Sequence, residues 1–302
     1  MEKFTFIIEE EYESERIDKY LPIFIDSFSR SYLQKLIDSN DILVNSKPVK
    51  SSYKLKCDDV IEVNLPDSIV PDIIAEDIPL DILYEDDDVI VVNKPQNMVV
   101  HPSAGHYNGT LVNALMFHCK DNLSGINGVM RPGIVHRIDK DTTGSVIACK
   151  NDYSHNFIAA LLKEHNVVRK YHAIVYGVID EAEGTIEGSI GRNPNDRKKM
   201  SVVNAGGKRA VTHYKVLKRF DKYTYIECIL ETGRTHQIRV HMAHINHPIL
   251  GDELYSNKKC DFKLQGQCLH AKILEFEHPK TGEIIKTDAP LPEYFEHLLQ
   301  VL

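Results

Sequence analysis

The chain has 302 residues, 42% of them hydrophobic and 26% charged, with a net charge of −8. These proportions exclude a disordered, collagenous or low-complexity chain, and the length suggests two domains or one large domain with an appendage. No run reaches eighteen apolar residues, which excludes a membrane-spanning helix, and the negative total taken alone argues weakly against a nucleic-acid partner.

Residues 1–13 turn acidic after a short apolar start, unlike a secretion signal or a transit peptide. Residues 14–64 read as a small module. Ile17, Tyr20, Leu21 and Phe24 have helical spacing. Ser29 can cap a second helix whose apolar face is Leu33, Leu36 and Ile37. A strand at Ile42–Val44, a turn at Asn45–Pro48 and a strand at Val60–Val63 follow. About fifty residues bury little core, so the module is expected to be attached to something larger.

Residues 65–82 hold three prolines and many acids and read as an extended linker, pinned in part by Ile69, Val70, Ile73 and Ile74. Residues 65–90 carry nine acids and no base, and residues 1–13 five acids and one base. Those two stretches account for −13, so the remaining chain is +5. Nine bases fall within residues 192–219 against Asp196 alone, either as a solvated face or as a phosphate-contacting patch.

From residue 83 onward, strands are expected at 89–93, 145–150, 171–176, 211–217, 224–231 and 273–276. Helices are expected at 110–118, 154–164, 234–245 and 292–301. Several neighbouring strands are joined by loops too short for a crossover helix. The expected fold class is therefore α+β, with a mixed, largely antiparallel central sheet and flanking helices.

Two polar clusters stand out. Gly133–Gly144 (GIVHRIDKDTTG) is a loop running into the apolar strand Val146–Cys149, a rigid place to hold a reactive side chain, although exposed turn charges would look alike. In Glu231–His241 (ETGRTHQIRVH), Thr232 can cap a helix on which His236 and Arg239 are neighbours facing one cleft; an amphipathic surface helix is the alternative. His241, His244 and His247 lack the HExxH context of a zinc site, and no phosphate loop, GxGxxG or GxSxG is present. The six cysteines form no CxxC pair and read as reduced thiols of a cytoplasmic protein.

Residues 29–63 (SRSYLQKLIDSNDILVNSKPVKSSYKLKCDDVIEV) resemble the S-four-like RNA-binding module, which implies Arg30, Lys35, Lys47 and Lys50 as phosphate contacts. HRIDKDTTG at 136–144 resembles the signature of the RluA family of pseudouridine synthases. NKPQNMVVHP (93–102), RKYHAIVYG (169–177) and GRTHQIRVHM (233–242) match further motifs of that family in order, as do HPILGDELY (247–255) and LHAKILEFEHP (269–279). Asn97 stands where the family usually has glycine, and asparagine tolerates the left-handed conformation better than most residues. The resemblance spans 83–302 and points to the ribosomal, RluD-like branch, where the appended module is common.

It implies isomerisation of uridine to pseudouridine in RNA, most directly large-subunit ribosomal RNA or its assembly intermediates. No cofactor, metal or membrane is implied, and the enzyme is expected to be monomeric. Asp139 aligns with the essential carboxylate, which attacks the sugar, attacks the base or takes a sugar proton. Arg239 aligns with its arginine partner; a neighbouring cation favours the charged form of a carboxylate. Tyr171 aligns with the tyrosine that stacks on uracil, a candidate for the final proton removal, and Arg137 with the arginine that fills the space of the flipped base. His136 is expected as loop scaffolding or a secondary RNA contact, Asp141 as loop-structural, and Arg192, Arg197, Lys198 and Lys199 as RNA contacts. The alternatives are a non-catalytic RNA-binding ribosome-assembly factor and a metal-dependent nuclease built on Asp139, Asp141 and His136.

Overall fold

Alternating apolar residues build two separate sheets. The computed structural model describes residues 2–25, 30–65, 73–102, 106–120, 122–128, 131–196 and 199–302; Ser29, Ile69, Val70, Arg197 and Lys198 lie outside the described residues. The chain divides into two compact units, Met1–Val70 and Pro71–Leu302.

The first unit contains β1 (Glu2–Ile7), α1 (Ile17–Phe24), α2 (Arg30–Asp38), β2 (Ile42–Val44), β3 (Lys47–Pro48) and β4 (Val60–Leu65). Its sheet has the order β1-β4-β2-β3, antiparallel throughout. The unit begins earlier than residue 14 because β1 pairs along the whole of β4. Asn45 (φ 50°) and Ser46 (φ 59°) are both left-handed, the conformation of the two-residue hairpin turn between β2 and β3. Ile17, Leu21, Leu33 and Ile37 of the helix pair bury against Ile42, Leu55 and Ile61.

The second unit holds β5 (Ile82–Glu85), β6 (Val89–Lys94), α3 (Leu111–Cys119), β7 (Thr143–Cys149), α4 (Asp152–Lys163), β8 (Val168–Tyr176) and β9 (Glu183–Arg192). It continues with β10 (Met200–Val202), β11 (Lys208–Arg219), β12 (Tyr223–Leu230), α5 (Gln237–His244), β13 (Leu269–Glu277), β14 (Ile284–Asp288) and α6 (Glu293–Val301). Ten strands form one sheet in the order β10-β9-β11-β12-β8-β13-β7-β6-β5, with β14 beside β13. Only the β13–β7 pairing is parallel among the described strands, so the mixed, largely antiparallel α+β class expected from the sequence is the one observed. Part of the expected linker belongs to this unit. Ile73 is buried, and Asn113 of α3 bonds the Ile74 carbonyl (2.8 Å) and accepts the Glu76 amide at its own carbonyl (3.0 Å); Ile74 itself is exposed. Among the described residues no helix is long and apolar enough to cross a membrane.

The β7–β13 contact sets the site geometry. Gly144 has φ 105°, and a Cβ there would lie 2.3 Å from the Ala271 carbonyl oxygen. Only glycine lets β13 approach the start of β7, where the loop carrying Asp139 ends.

Candidate active site

The loop 134–142 precedes β7 and folds back along it. Ile134 bridges to Ala148, and His136 Nε2 accepts the Ile147 amide at 3.0 Å. Burial and the nearby Arg169 push His136 down to about 3, so its ring is a neutral acceptor. This bond holds the loop against β7. The Thr142 amide donates to the Asp139 carbonyl (3.1 Å), and Gln267 Nε2 donates to Thr142 Oγ1 (3.1 Å). Lys94, 1% exposed, donates from Nζ to the carbonyls of Pro95 (2.8 Å), Met98 (2.8 Å) and Lys140 (2.9 Å). That side chain ties the turn after β6 to the loop. Within this turn Asn97 is left-handed, at φ 65°. Asp141 packs against Gly266 and is not among the residues lining the cavity described below.

Helix α5 supplies the other wall. It begins at Gln237, three residues later than expected, because Thr232 does not cap it. The Thr232 hydroxyl donates to Gln237 Oε1 (2.8 Å), and His236 takes the N-cap position in a left-handed conformation, φ 55°. A left-handed non-glycine residue there is held by its surroundings. Arg239 Nη1 donates to Asp139 Oδ2 at 2.9 Å. Its Nε and Nη2 form a fork on the buried carboxylate of Asp252, at 2.7 and 2.9 Å. Burial works against the charged guanidinium, but Asp252 and Asp139 outweigh it and raise its pKa. Tyr255 Oη accepts the Met200 amide (2.9 Å) and is hydrogen-bonded to His236 Nδ1 (2.7 Å). His236 Nε2 lies 3.8 Å from Asp139 Oδ1. Burial lowers the His236 pKa, which favours the neutral imidazole.

Between the loop, β8 and α5 lies a cavity of about 560 Å³, within the usual range for ligand pockets. Asp139, Arg239, Tyr171, Arg137 and His136 all line it, so the structure brings together five residues drawn from three distant stretches. Tyr171 is 8% exposed, Arg137 is exposed, and Lys163, His165 and Arg234 join Arg137 among the lining residues. Lys163 had no motif signal; Arg169, Arg234 and Asp252 had one only as members of RKYHAIVYG, GRTHQIRVHM and HPILGDELY, with no role attached.

The described bases of 192–219 do not form one patch. Lys208 and Arg219 end the twelve-residue β11, about 36 Å apart at 3.3 Å per residue. Arg209 pairs with Glu187 (2.7 Å), and Arg219 donates to the carbonyls of Ile179 and Asp180. Arg192 and Lys199 belong to the β9–β10 hairpin, whose Met200 amide touches Tyr255. In the first unit, Lys35, Lys47 and Lys50 are exposed, whereas Arg30 is bonded to Asp18 at 2.7 Å. His241 bonds Thr212, and His247 bonds the Tyr176 carbonyl. Among the described residues, ligand atoms converge as for a metal only at Asp86, Asp88 and His278, which do not line the cavity. There Asp86 bonds His278, and Asp88 bonds Asn151 and Ser154.

A carboxylate paired to a buried arginine in a cavity rimmed by cations is a cleft for acting on a polyanion. The family model for RNA pseudouridylate synthase matches residues 88–244. The chain is 50% identical to an uncharacterised RNA pseudouridine synthase of Bacillus subtilis, YlyB, over 100% of this chain and 99% of that one. It is 43% identical to the ribosomal large subunit pseudouridine synthase D of Zymomonas mobilis, over 95% of this chain and 93% of that one. Among solved structures, human RNA pseudouridylate synthase domain containing 4 is similar with a TM-score of 0.56 at 27% identity, over 72% of this chain and 91% of that one. The chain therefore belongs to the RNA pseudouridylate synthase family, enzymes that isomerise uridine to pseudouridine in RNA.

Proposed function

We propose that the chain isomerises uridine in large-subunit ribosomal RNA in the cytoplasm, as a monomer and without a cofactor, with Asp139 as the essential carboxylate. The observation that carries the assignment of Asp139 is its 2.9 Å contact with Arg239 in the wall of the cavity, with its other oxygen accepting no hydrogen bond among the described residues. The ribosomal target is supported by the ribosomal large subunit pseudouridine synthases D, 43% identical over 95% of this chain.

A stacked nucleotide leaves no room for a carboxylate at its sugar, so the target uridine must leave the helix. Flipping costs a few kcal/mol, which phosphate contacts at the cationic rim offset. Arg137, exposed at that rim, fills the space of the extruded base. Arg192 and Lys199 of the β9–β10 hairpin, and with them Arg197 and Lys198, are RNA contacts in this reading. Tyr171 stacks on the uracil and accepts the proton lost from its C5. Asp139 acts on the ribose while Arg239, fixed by Asp252, keeps the carboxylate in position. One carboxylate suffices, because the released uracil stays bound and re-attacks through carbon; no water enters as a second reactant.

The domain plan follows the same reading: an S-four-like module at 14–64, to which β1 adds a strand, that holds structured RNA through Arg30, Lys35 and Lys47; an acidic segment at 65–82 whose part from Ile73 packs with the second unit; and the synthase from 83 to 302. Carbodiimide labelling of ribosomal RNA incubated with the enzyme, read by reverse-transcription stops, tests it. The wild type produces a discrete stop and Asp139→Ala does not, while both bind the RNA. Tight RNA binding by the wild type with no stop at any uridine would favour a non-catalytic assembly factor instead.

A further inference from the structure

Strand β8 alternates its faces, so Arg169 and Tyr171 point the same way, about 7 Å apart along the strand, and both line the cavity. Arg169 is only 7% exposed. Among the described residues its one hydrogen bond runs from Nη2 to the Glu231 carbonyl at 3.2 Å, and its buried Nε has no partner. Among the described residues no carboxylate lies within 4.0 Å of it; the Glu231 carboxylate is bonded to His213 and lies near Arg209. The other buried guanidinium of the cavity, Arg239, makes three bonds to two carboxylates. A buried charge without a counter-charge is expensive, and the fold makes room for this one. A Cβ at Gly233 would lie 2.8 Å from Arg169 Nη1.

We propose that Arg169 is a further substrate-binding residue, whose unpaired N–H groups take a carbonyl oxygen of the flipped uracil and hold the negative charge that develops there. The inference rests on the function proposed above. When the C1′–N1 bond breaks, its electron pair stays with the uracil ring as an anion spread over N1, O2 and O4. Asp139 supplies the compensating pair, by bonding to C1′ or by taking the C2′ proton so that the C–H pair becomes a C1′–C2′ double bond. C5 then bonds to C1′ as the Asp139–C1′ bond breaks, or as Asp139 returns its proton to C2′ and the double bond is consumed. The C5 proton leaves and N1 gains one, so the product is an isomer of the substrate. Arg169 gains and loses no atom in any step; it is a fixed cation where charge appears, the arrangement by which preorganised donors accelerate a reaction. Its depth favours a base carbonyl over a backbone phosphate, because Arg137 and Lys163 already serve the exposed rim.

The test uses the full-length enzyme and a short synthetic RNA carrying the uridine mapped with wild-type protein. Single-turnover rate at saturating RNA, RNA affinity with its salt dependence, and thermal unfolding are measured for Arg169→Gln, Gly233→Ala and Asp139→Ala. Arg169→Gln is expected to slow the reaction about 100-fold with affinity within threefold, and Gly233→Ala, which displaces the guanidinium without removing it, about tenfold. Replacing the target by 2-thiouridine or 4-thiouridine, each a poorer acceptor, slows the wild type; one of the two substitutions has no further effect on Arg169→Gln. A rate within threefold of wild type for a folded Arg169→Gln overturns the proposal, as does full additivity with both thio substitutions. Weakened affinity at an unchanged rate, with the salt slope reduced by about one, makes Arg169 a phosphate contact and also overturns it. If Arg169→Gln does not fold, Gly233→Ala decides: a rate within threefold of wild type sinks the proposal. An unslowed Asp139→Ala would instead overturn the functional reading itself.

Discussion

Asp18 and Asp139 are both carboxylates held by arginine, one in each unit, and they are held in opposite ways. Asp18 is fully buried at the start of α1 and receives four donors: Arg16 Nε (2.9 Å) and Nη2 (3.0 Å), Arg30 Nη2 (2.7 Å) and Gln34 Nε2 (2.8 Å). Asp139 receives one short bond, its second oxygen is 3.8 Å from the nearest imidazole nitrogen, and its side chain is 20% exposed in the cavity. A saturated carboxylate ties two helices together. A carboxylate with spare lone pairs, held by a cation that is itself anchored elsewhere, is free to take a ligand. The guanidiniums repeat the contrast: Arg239 is saturated and positions, whereas Arg169 keeps donors in reserve.

The widest gap between the two carboxylates should appear in turnover. Asp139→Ala is expected to lower the single-turnover rate by about 10⁴-fold or more with little change in RNA affinity. Asp252→Asn comes next. It removes the charge from the fork that orients Arg239 while keeping its shape, and a guanidinium misplaced by about 1 Å should slow the reaction about 100-fold. The same rate and affinity pair checks both. An Asp252→Asn enzyme with full rate would mean that Asp139 needs no anchored partner, and the comparison with Asp18 would lose its basis. Tyr255→Phe removes the hydroxyl that accepts the Met200 amide and bonds His236 Nδ1 beside Asp139. The expected loss is smaller, about tenfold in rate, with RNA affinity unchanged.

How much of this was legible in the sequence follows from which partners decide each feature. Apolar strands such as Val89–Lys94 and Thr143–Cys149 carry their own signal, because all or nearly all of their residues are buried. Strand β9 does not: EGTIEGSIGR has two large apolar residues, and it is a strand because β11 pairs with it from Glu183 to Ile190. The start of α5 misled for a similar reason. Thr232 is a good cap by type, but its hydroxyl is taken by Gln237 and the Val211 amide. In the site, Asp139 and Arg239 are a hundred residues apart and were joined only by the order of family motifs. Asp252 and Arg169 stood inside quoted motifs with no role attached; their roles became visible only in three dimensions, one by what it bonds and the other by what it leaves unbonded. The run of bases at 192–219 read as one feature because sequence distance hides the length of β11.

The smallest expected effect on catalysis belongs to Asp18, and that is the sharpest form of the comparison. Burial raises the Asp18 pKa, but the hydrogen bonds from Arg16, Arg30 and Gln34 outweigh it and leave the carboxyl far below its ordinary value of 3.8. A folded-state pKa below the unfolded one means that the unfolded unit binds more protons between the two values. The stabilisation is therefore complete above about pH 5 and is lost as pH falls through the acid range. Arg16 and Arg30 are 41% and 49% exposed, so solvent screens part of the interaction, and Asp18→Asn should cost the first unit about 2 kcal/mol at pH 7. Amide exchange in α1 and α2 measures this locally. The deficit relative to wild type should shrink as pH is lowered toward 3, while the isomerisation rate at saturating RNA at pH 7 stays at the wild-type value. A deficit that persists undiminished at pH 3 would show that shape rather than charge makes Asp18 matter, and that the two carboxylates differ in more than the saturation of their lone pairs.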